Sequence, residues 1–432
     1  MSSMTQRPMS RPTAQHDPDG EDARLLSPSA KDKGISKRPS CFARMARLSR
    51  RAIGMMAGLF LLFVFAAVKN DWPYRSWRFI ITMTRPLWDK PPEFVKIHNY
   101  GWSGDPQVSC PLHGLTPVET PRRVVDIFPI SSEWEMLEIR LFELDPVVDK
   151  FFIFEMPCYF NGEAKQYTFD MVINDKRYEK YRHKMVHIKV LDRECKDYRN
   201  NPKHSFYLEY ALRTVLRNGK HYDLKKGDMA IFSDLDEIPR RETVELARNC
   251  QGWPFNRMPM QMKTYMYNFG LTRSEMIETA VIILFAGSIT YQTEFYHGRG
   301  KRYVLTDAGW HCSWCTGSVE AIYFKMTGYS HNDRLRSRND LRSGHIREAA
   351  CTGEDPFGYD IEPRTWRDLR CQYGKIEPLI GNADVPKLLI KEPHRFRHFL
   401  PGGCKFLKEK ELEVLHPIES PQDRSHNPPW NI

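Results

Sequence analysis

The stretch Met229–Arg241, MAIFSDLDEIPRR, decides how the rest of the chain is read. A short apolar run stops abruptly in Asp234, Asp236 and Glu237. Such a run fits a strand buried on both faces, and acids at its carboxyl end stand where open α/β sheets bind their ligands. In an extended segment residues i and i+2 point the same way, so Asp234 and Asp236 are expected to converge on one target. Two hard oxygen ligands facing one point suit a divalent cation such as Mn²⁺ or Mg²⁺, which can in turn hold a diphosphate. The D-x-D form by itself carries little, since Asp17-Pro18-Asp19 repeats it in a polar tail; a solvated acidic turn is the plain alternative. A phosphatase-type aspartate motif wants Thr or Val where Ile238 stands, and a calcium loop wants Gly where Pro239 stands.

Strands and helices alternate on the amino-terminal side of this stretch. Val124–Ile130 (VVDIFPI) reads as a strand and Ser131–Leu144 as a helix. In that helix Ser132 and Glu135 form a capping-box pattern, and Trp134, Leu137, Leu141 and Leu144 recur at helical spacing. Lys150–Met156 and His183–Leu191 read as further strands, and Lys203–Arg217 as a long helix ended by Asn218-Gly219. The alternation predicts an α/β fold with a mostly parallel sheet flanked by helices.

Residues 1–51 are polar, with the composition of a disordered tail. Ala52–Val68 (AIGMMAGLFLLFVFAAV) has no charge, Asn, Gln or Pro, and it reads as a transmembrane anchor at the short end of what spans a bilayer of roughly 30 Å. A signal peptide would begin nearer the N-terminus, and a core helix would show a polar stripe. Lys37, Arg38, Arg44, Arg47, Arg50 and Arg51 outweigh the cations on the far side, which keeps the N-terminus cytosolic and places the bulk of the chain in a lumen. Residues 69–121 read as a stem, 122–400 as the catalytic domain and 401–432 as a tail. The net charge of +10 falls largely in the membrane flank, so no nucleic-acid partner is expected. Nine of the ten cysteines follow the anchor, an odd number that leaves at least one free or paired between chains. No N-x-Ser/Thr sequon is present.

Four segments together resemble glycosyltransferase family 17: DIFPISSEWEMLEIRLFEL (Asp126–Leu144), KFFIFE (Lys150–Glu155), FSDLDEIPR (Phe232–Arg240) and AGWHCSWC (Ala308–Cys315). The likeness spans roughly residues 122–400. It implies a GT-A-like Rossmann-type fold in a single-pass type II Golgi membrane protein. The implied activity is an inverting, metal-dependent transfer of GlcNAc from UDP-GlcNAc to a mannose of a glycoprotein N-glycan in β-1,4 linkage. On that reading Asp234 and Asp236 bind Mn²⁺ or Mg²⁺, His311 is either a further ligand or a structural histidine, and Glu237 supports the cation site or faces solvent. Glu155 is placed against the nucleotide by fold analogy. Glu320 or Asp307 takes the acceptor proton, unless Glu320 only stabilises a helix N-terminus. Cys312 and Cys315 are expected in structural disulfides, with each other or with distant partners. Trp310 and Trp314 offer either a sugar platform or core packing. The rival readings are a catalytically inactive, membrane-anchored glycan-binding protein and a transferase of the same fold with another donor or acceptor.

Overall fold

In the computed structural model the described residues are 95–200, 206–277, 279–298, 303–335, 338–357, 377–378, 384–401 and 404–407, with isolated positions near the N-terminus. The chain divides into two units, residues 1–77 and 78–432, and the architecture below is that of the second. The tail, most of 401–432 and the anchor segment 52–68, apart from Gly58, Leu61 and Leu62, lie outside the described residues. Among the described residues no helix is long and apolar enough to cross a membrane.

The central sheet is built from β1 (Val124–Ile130), β2 (Lys150–Glu155), β3 (Met185–Lys189), β4 (Met229–Phe232), β5 (Glu237–Pro239), β6 (Arg257–Met266), β7 (Val281–Leu284) and β8 (Tyr303–Ser313). Along its main path the order is β3-β2-β1-β4-β7-β6-β8, ending on a short edge strand, Val95–Ile97. β3, β2, β1 and β4 pair in parallel; β7 runs against both β4 and β6; β6, β8 and the edge strand are again parallel. A mixed α/β architecture with a mostly parallel sheet results, and it fits the expected GT-A-like fold. The edge strand falls within the stretch read as stem, so residues from Val95 onward pair into the domain. Two of the expected strands, Val124–Ile130 and Met229–Phe232, have the bounds read from the sequence. Both are buried nearly throughout, as interior parallel strands must be.

Helix α1 (Trp134–Leu144) covers one face of this sheet and is buried all round except for Phe142. Its charged residues therefore need partners. Arg140, fully buried, forks onto Asp126 of β1 at 2.8 and 2.7 Å. Glu138 receives Arg395 at 2.9 and 2.7 Å, and Glu135 receives His398 at 3.0 Å. The capping box expected from Ser132 and Glu135 does not form: Glu133 is the N-cap and makes no side-chain cap bond, its carboxylate being turned to Lys325 and Tyr329, while Glu135 pairs with His398. Helix α2 (Tyr207–Leu216) covers the opposite face with Leu208, Leu212 and Leu216 on one buried stripe, each contributing roughly 1.5–3 kcal/mol.

Among the described residues four disulfides staple the domain: Cys110–Cys250, Cys158–Cys195, Cys312–Cys315 and Cys351–Cys404. The ninth cysteine beyond the anchor segment, Cys371, lies outside the described residues. Cys110–Cys250 bridges a separation of 140 residues and fixes the short helix Pro106–Leu112 against the end of helix α3 (Arg241–Asn249). Changing both cysteines to Ser is expected to cost about 2–5 kcal/mol, read as an earlier urea midpoint with a steeper slope, because the unfolded chain freed of the crosslink exposes more surface.

Candidate active site

All but one of the sheet's main strands point the same way, so the carboxyl ends of β1, β2, β4, β6 and β8 lie along a common edge. β1 is the point at which the strand order reverses, with β2 and β3 on one side and β4 on the other, and open α/β sheets bind ligands at such a crevice. A cleft of about 520 Å³ opens there, lined by Pro129, Ile130, Ser131 and Glu133 at the end of β1, from Asp234 to Glu237 after β4, and by His311, Ser313 and Trp314 at the end of β8.

The acids of the opening stretch do not follow an extended geometry. Leu235 and Asp236 form a turn, closed reciprocally: the Glu237 amide donates to the Asp234 carbonyl at 3.1 Å, and the Asp234 amide donates to Glu237 Oε2 at 3.0 Å. In a tight turn i and i+3 converge where i and i+2 diverge, and the expected pairing of Asp234 with Asp236 is replaced by one of Asp234 with Glu237. Arg140 holds this turn from below, donating to the carbonyls of Asp234 and Glu237 at 2.9 and 2.8 Å and to Ser233 Oγ at 2.7 Å. β5 then pairs with β8, setting Glu237 opposite His311. Gly309 lies where that crossing is tightest, and a Cβ there would collide with the Ile238 carbonyl. Two segments some seventy residues apart in sequence, FSDLDEIPR and AGWHCSWC, are thereby joined edge to edge.

Asp234, Glu237 and His297 form one cluster, with ligand atoms within 4.8 Å of one another. His297 Nε2 lies 3.1 Å from the Glu237 carboxylate and 3.4 Å from that of Asp234. Burial would push the imidazole pKa down, but Asp234 and Glu237 override it and raise it. Burial would likewise raise the Asp234 carboxyl, yet Arg213 and His297 hold it well below the usual range. Arg213, carried on α2, grips both Asp234 oxygens at 2.9 Å and fixes the carboxylate's orientation. Asp236 turns the other way, toward Lys325 at 3.2 Å and His311 at 3.8 Å. Lys325, on helix α4 (Val319–Gly328), also reaches Glu133 at 3.5 Å, and Tyr329 donates to Glu133 at 2.6 Å.

The donor set of two carboxylates and one imidazole fits a divalent cation of the Mn²⁺ type. Charge agrees: six acids line the cleft (Glu133, Glu209, Asp234, Asp236, Glu237, Asp355) against Lys165, Arg213, Lys325 and Arg334, and Lys165 is already paired with Glu155 at 2.6 Å.

The other expected site residues are spread more widely. Glu155 is fully buried, and its oxygens accept from Lys165, His187, the Thr168 amide and hydroxyl, and the Phe169 amide; the residue that reaches the cleft wall is Lys165. Glu320 is half-buried on the first turn of α4, behind the Ser318 cap, and is not in the cleft lining. Asp307 sits in a left-handed conformation, φ 49°, at an irregularity in β8, paired with Arg240 at 3.0 Å and also away from the lining. His311 lines the cleft, with a buried Nδ1 that has no hydrogen-bond partner. Trp310 is a core residue: its indole donates to the Asp384 carbonyl at 3.0 Å, and Arg240 stacks on its ring. Trp314 does line the cleft, with φ 60°, a conformation that costs an aromatic residue roughly 1–3 kcal/mol. His297, Arg213 and Lys325 were not among the site residues expected from the sequence, because each meets the acids only through the fold. The available signal for Arg213 was only its place on the helix before the acidic strand.

Curated proteins similar to this chain include the beta-1,4-mannosyl-glycoprotein 4-beta-N-acetylglucosaminyltransferases of Rattus norvegicus and Mus musculus, each 27% identical over 320 residues, and that of Homo sapiens at 28%. Each alignment covers 66% of this chain and 56% of the relative, so the chain spans little more than half the length of the curated relatives it matches. The profile of glycosyltransferase family 17 matches residues 51–406, and with that breadth of match, carried through the segments that build the cleft, the chain belongs to glycosyltransferase family 17.

Proposed function

We propose that the cleft transfers GlcNAc from UDP-GlcNAc to a mannose of a glycoprotein N-glycan, with inversion at the sugar carbon and in β-1,4 linkage. The names of the relatives support the sugar and the acceptor. The observation that carries the reading is the convergence of Asp234, Glu237 and His297 at the sheet's switch point. A divalent cation held by these three residues would neutralise the departing UDP. Arg213 keeps Asp234 oriented for it, and Arg140 keeps the turn closed so that Asp234 and Glu237 face one point.

The acceptor hydroxyl needs a carboxylate within hydrogen-bond reach. Glu133 has what Glu320 and Asp307 lack, a place in the lining, and Lys325 and Tyr329 hold it in position. The apolar segment 52–68 with its cationic amino-terminal flank supports a type II anchor in the Golgi membrane.

Turnover of UDP-GlcNAc by the chain from Lys69 onward, with Mn²⁺ or with EDTA, tests the reading. UDP release is expected only with metal, and it should rise when a mannose-terminated N-glycan is added. A protein that binds the glycan but neither binds nor consumes any nucleotide sugar would be a lectin on a transferase fold.

A further inference from the structure

Trp314 holds a left-handed backbone conformation that aromatic residues rarely adopt, and it does so within the short ring closed by Cys312–Cys315. Outliers of this kind persist where the surroundings over-determine them, and they gather at ligand clamps. The indole is half-buried. It packs against the cluster that includes Met266, Val319 and Met326, with its ring 5.8 Å from that of Phe357 in an edge arrangement, and it also lines the cleft.

Its neighbours say what it faces. Lys325 stands 5.8 Å from the indole centre and 3.2 Å from Asp236. The ring therefore lies one side chain beyond Asp236, with the Lys325 ammonium over part of its face. Tyr159, Phe160 and Tyr329 also line the cleft, so its walls combine aromatic faces with hydroxyl and charged groups.

We propose that Trp314 is the stacking platform for a hexopyranose ring in this cleft, held ready by the Cys312–Cys315 ring. A pyranose presents an apolar C–H face rimmed by hydroxyls, which suits a large flat indole with polar groups around it. The inference rests on the transferase reading and adds to it the residue that holds the sugar. Two sources offer such a ring, the GlcNAc of the donor and the sugar of the acceptor glycan.

The test compares wild type, Trp314→Phe and Trp314→Leu as the full chain with Mn²⁺. Leu keeps apolar bulk toward the cluster and removes the aromatic face; Phe keeps a face. Titration with UDP and with UDP-GlcNAc isolates the donor sugar, and titration with a mannose-terminated N-glycan isolates the acceptor. Trp314→Leu should weaken one of the two sugar terms roughly tenfold and Trp314→Phe by much less, with UDP affinity unchanged. A loss in the ratio of UDP-GlcNAc to UDP affinity assigns the donor ring, and a loss confined to the glycan assigns the acceptor ring. Both sugar terms staying within about twofold of wild type in a folded Trp314→Leu protein would overturn the platform, since packing alone would then explain the indole. A wild type that gains nothing from either sugar overturns it too. Failure of UDP itself to bind would instead sink the transferase reading.

Discussion

Glu237→Gln is expected to abolish the stabilisation of this protein by Mn²⁺ and to lower UDP-GlcNAc turnover at least about 100-fold. Gln keeps the shape of Glu and can still accept from the Asp234 amide, so the turn should survive. What disappears is one of the two charges that face His297. Without metal the variant should be less stable than wild type near neutral pH: burial and Asp234 would raise the Glu237 carboxyl, but His297 overrides both and holds it below its ordinary range, so the charged form contributes stability that Gln lacks. With metal the two proteins separate further: at Mn²⁺ 100-fold above its dissociation constant wild type gains about 2.7 kcal/mol and a higher melting temperature, and the variant gains none. Asp236→Asn is the necessary contrast. It breaks the contact with Lys325 but leaves the cluster intact, so its Mn²⁺ shift should persist. The reverse pattern, with the shift kept by Glu237→Gln and lost by Asp236→Asn, would return the cation to the D-x-D pair.

Arg140→Met is expected to be the most destabilising single substitution in the domain, at about 3–5 kcal/mol. Arg140 and Asp126 are both fully buried, and removing the guanidinium leaves a carboxylate inside the sheet with no cation beside it. The same residue supports the Asp234–Glu237 turn through three further hydrogen bonds, so on the proposed function turnover should fall further than the folded fraction does. Chemical denaturation of the single variant and of Asp126→Leu/Arg140→Met separates the two effects. The double variant removes the stranded charge and should regain part of the stability, while turnover stays low because the carbonyls of Asp234 and Glu237 have lost their donor. A single variant that loses less than about 1 kcal/mol would mean that water reaches Asp126, and the pair would be no more than a surface ion pair.

Much of this was legible in the chain because it is encoded by neighbours. The bounds of β1 and β4 follow from apolar runs, interrupted in β1 only by Asp126, and the helix after β1 from spacing within a dozen residues. The placement of acids at a strand's carboxyl end follows from fold class alone. The expectations that changed depended on partners far away in sequence. Glu135 looked like a capping residue and is held by His398, 263 positions later. Glu155 looked like a nucleotide contact and is enclosed by the loop that follows its own strand. Asp234 and Asp236 looked like a pair because an extended backbone was assumed; a single turn, held by an arginine 94 residues earlier in the chain, gives Asp234 a different partner.

The sequence by itself determined the family, the alternation of strands and helices, and which acids stand at the mouth of the sheet, since periodicity and motif are properties of adjacent residues. Only the tertiary structure decided how those acids are divided. Asp234 and Glu237 meet His297, which arrives from 60 residues beyond Glu237, while Asp236 is drawn away by Lys325, 89 residues downstream. The physical reason is that charges take their partners from whatever the packed chain brings within a few ångströms, and burial among like charges makes that choice costly to refuse.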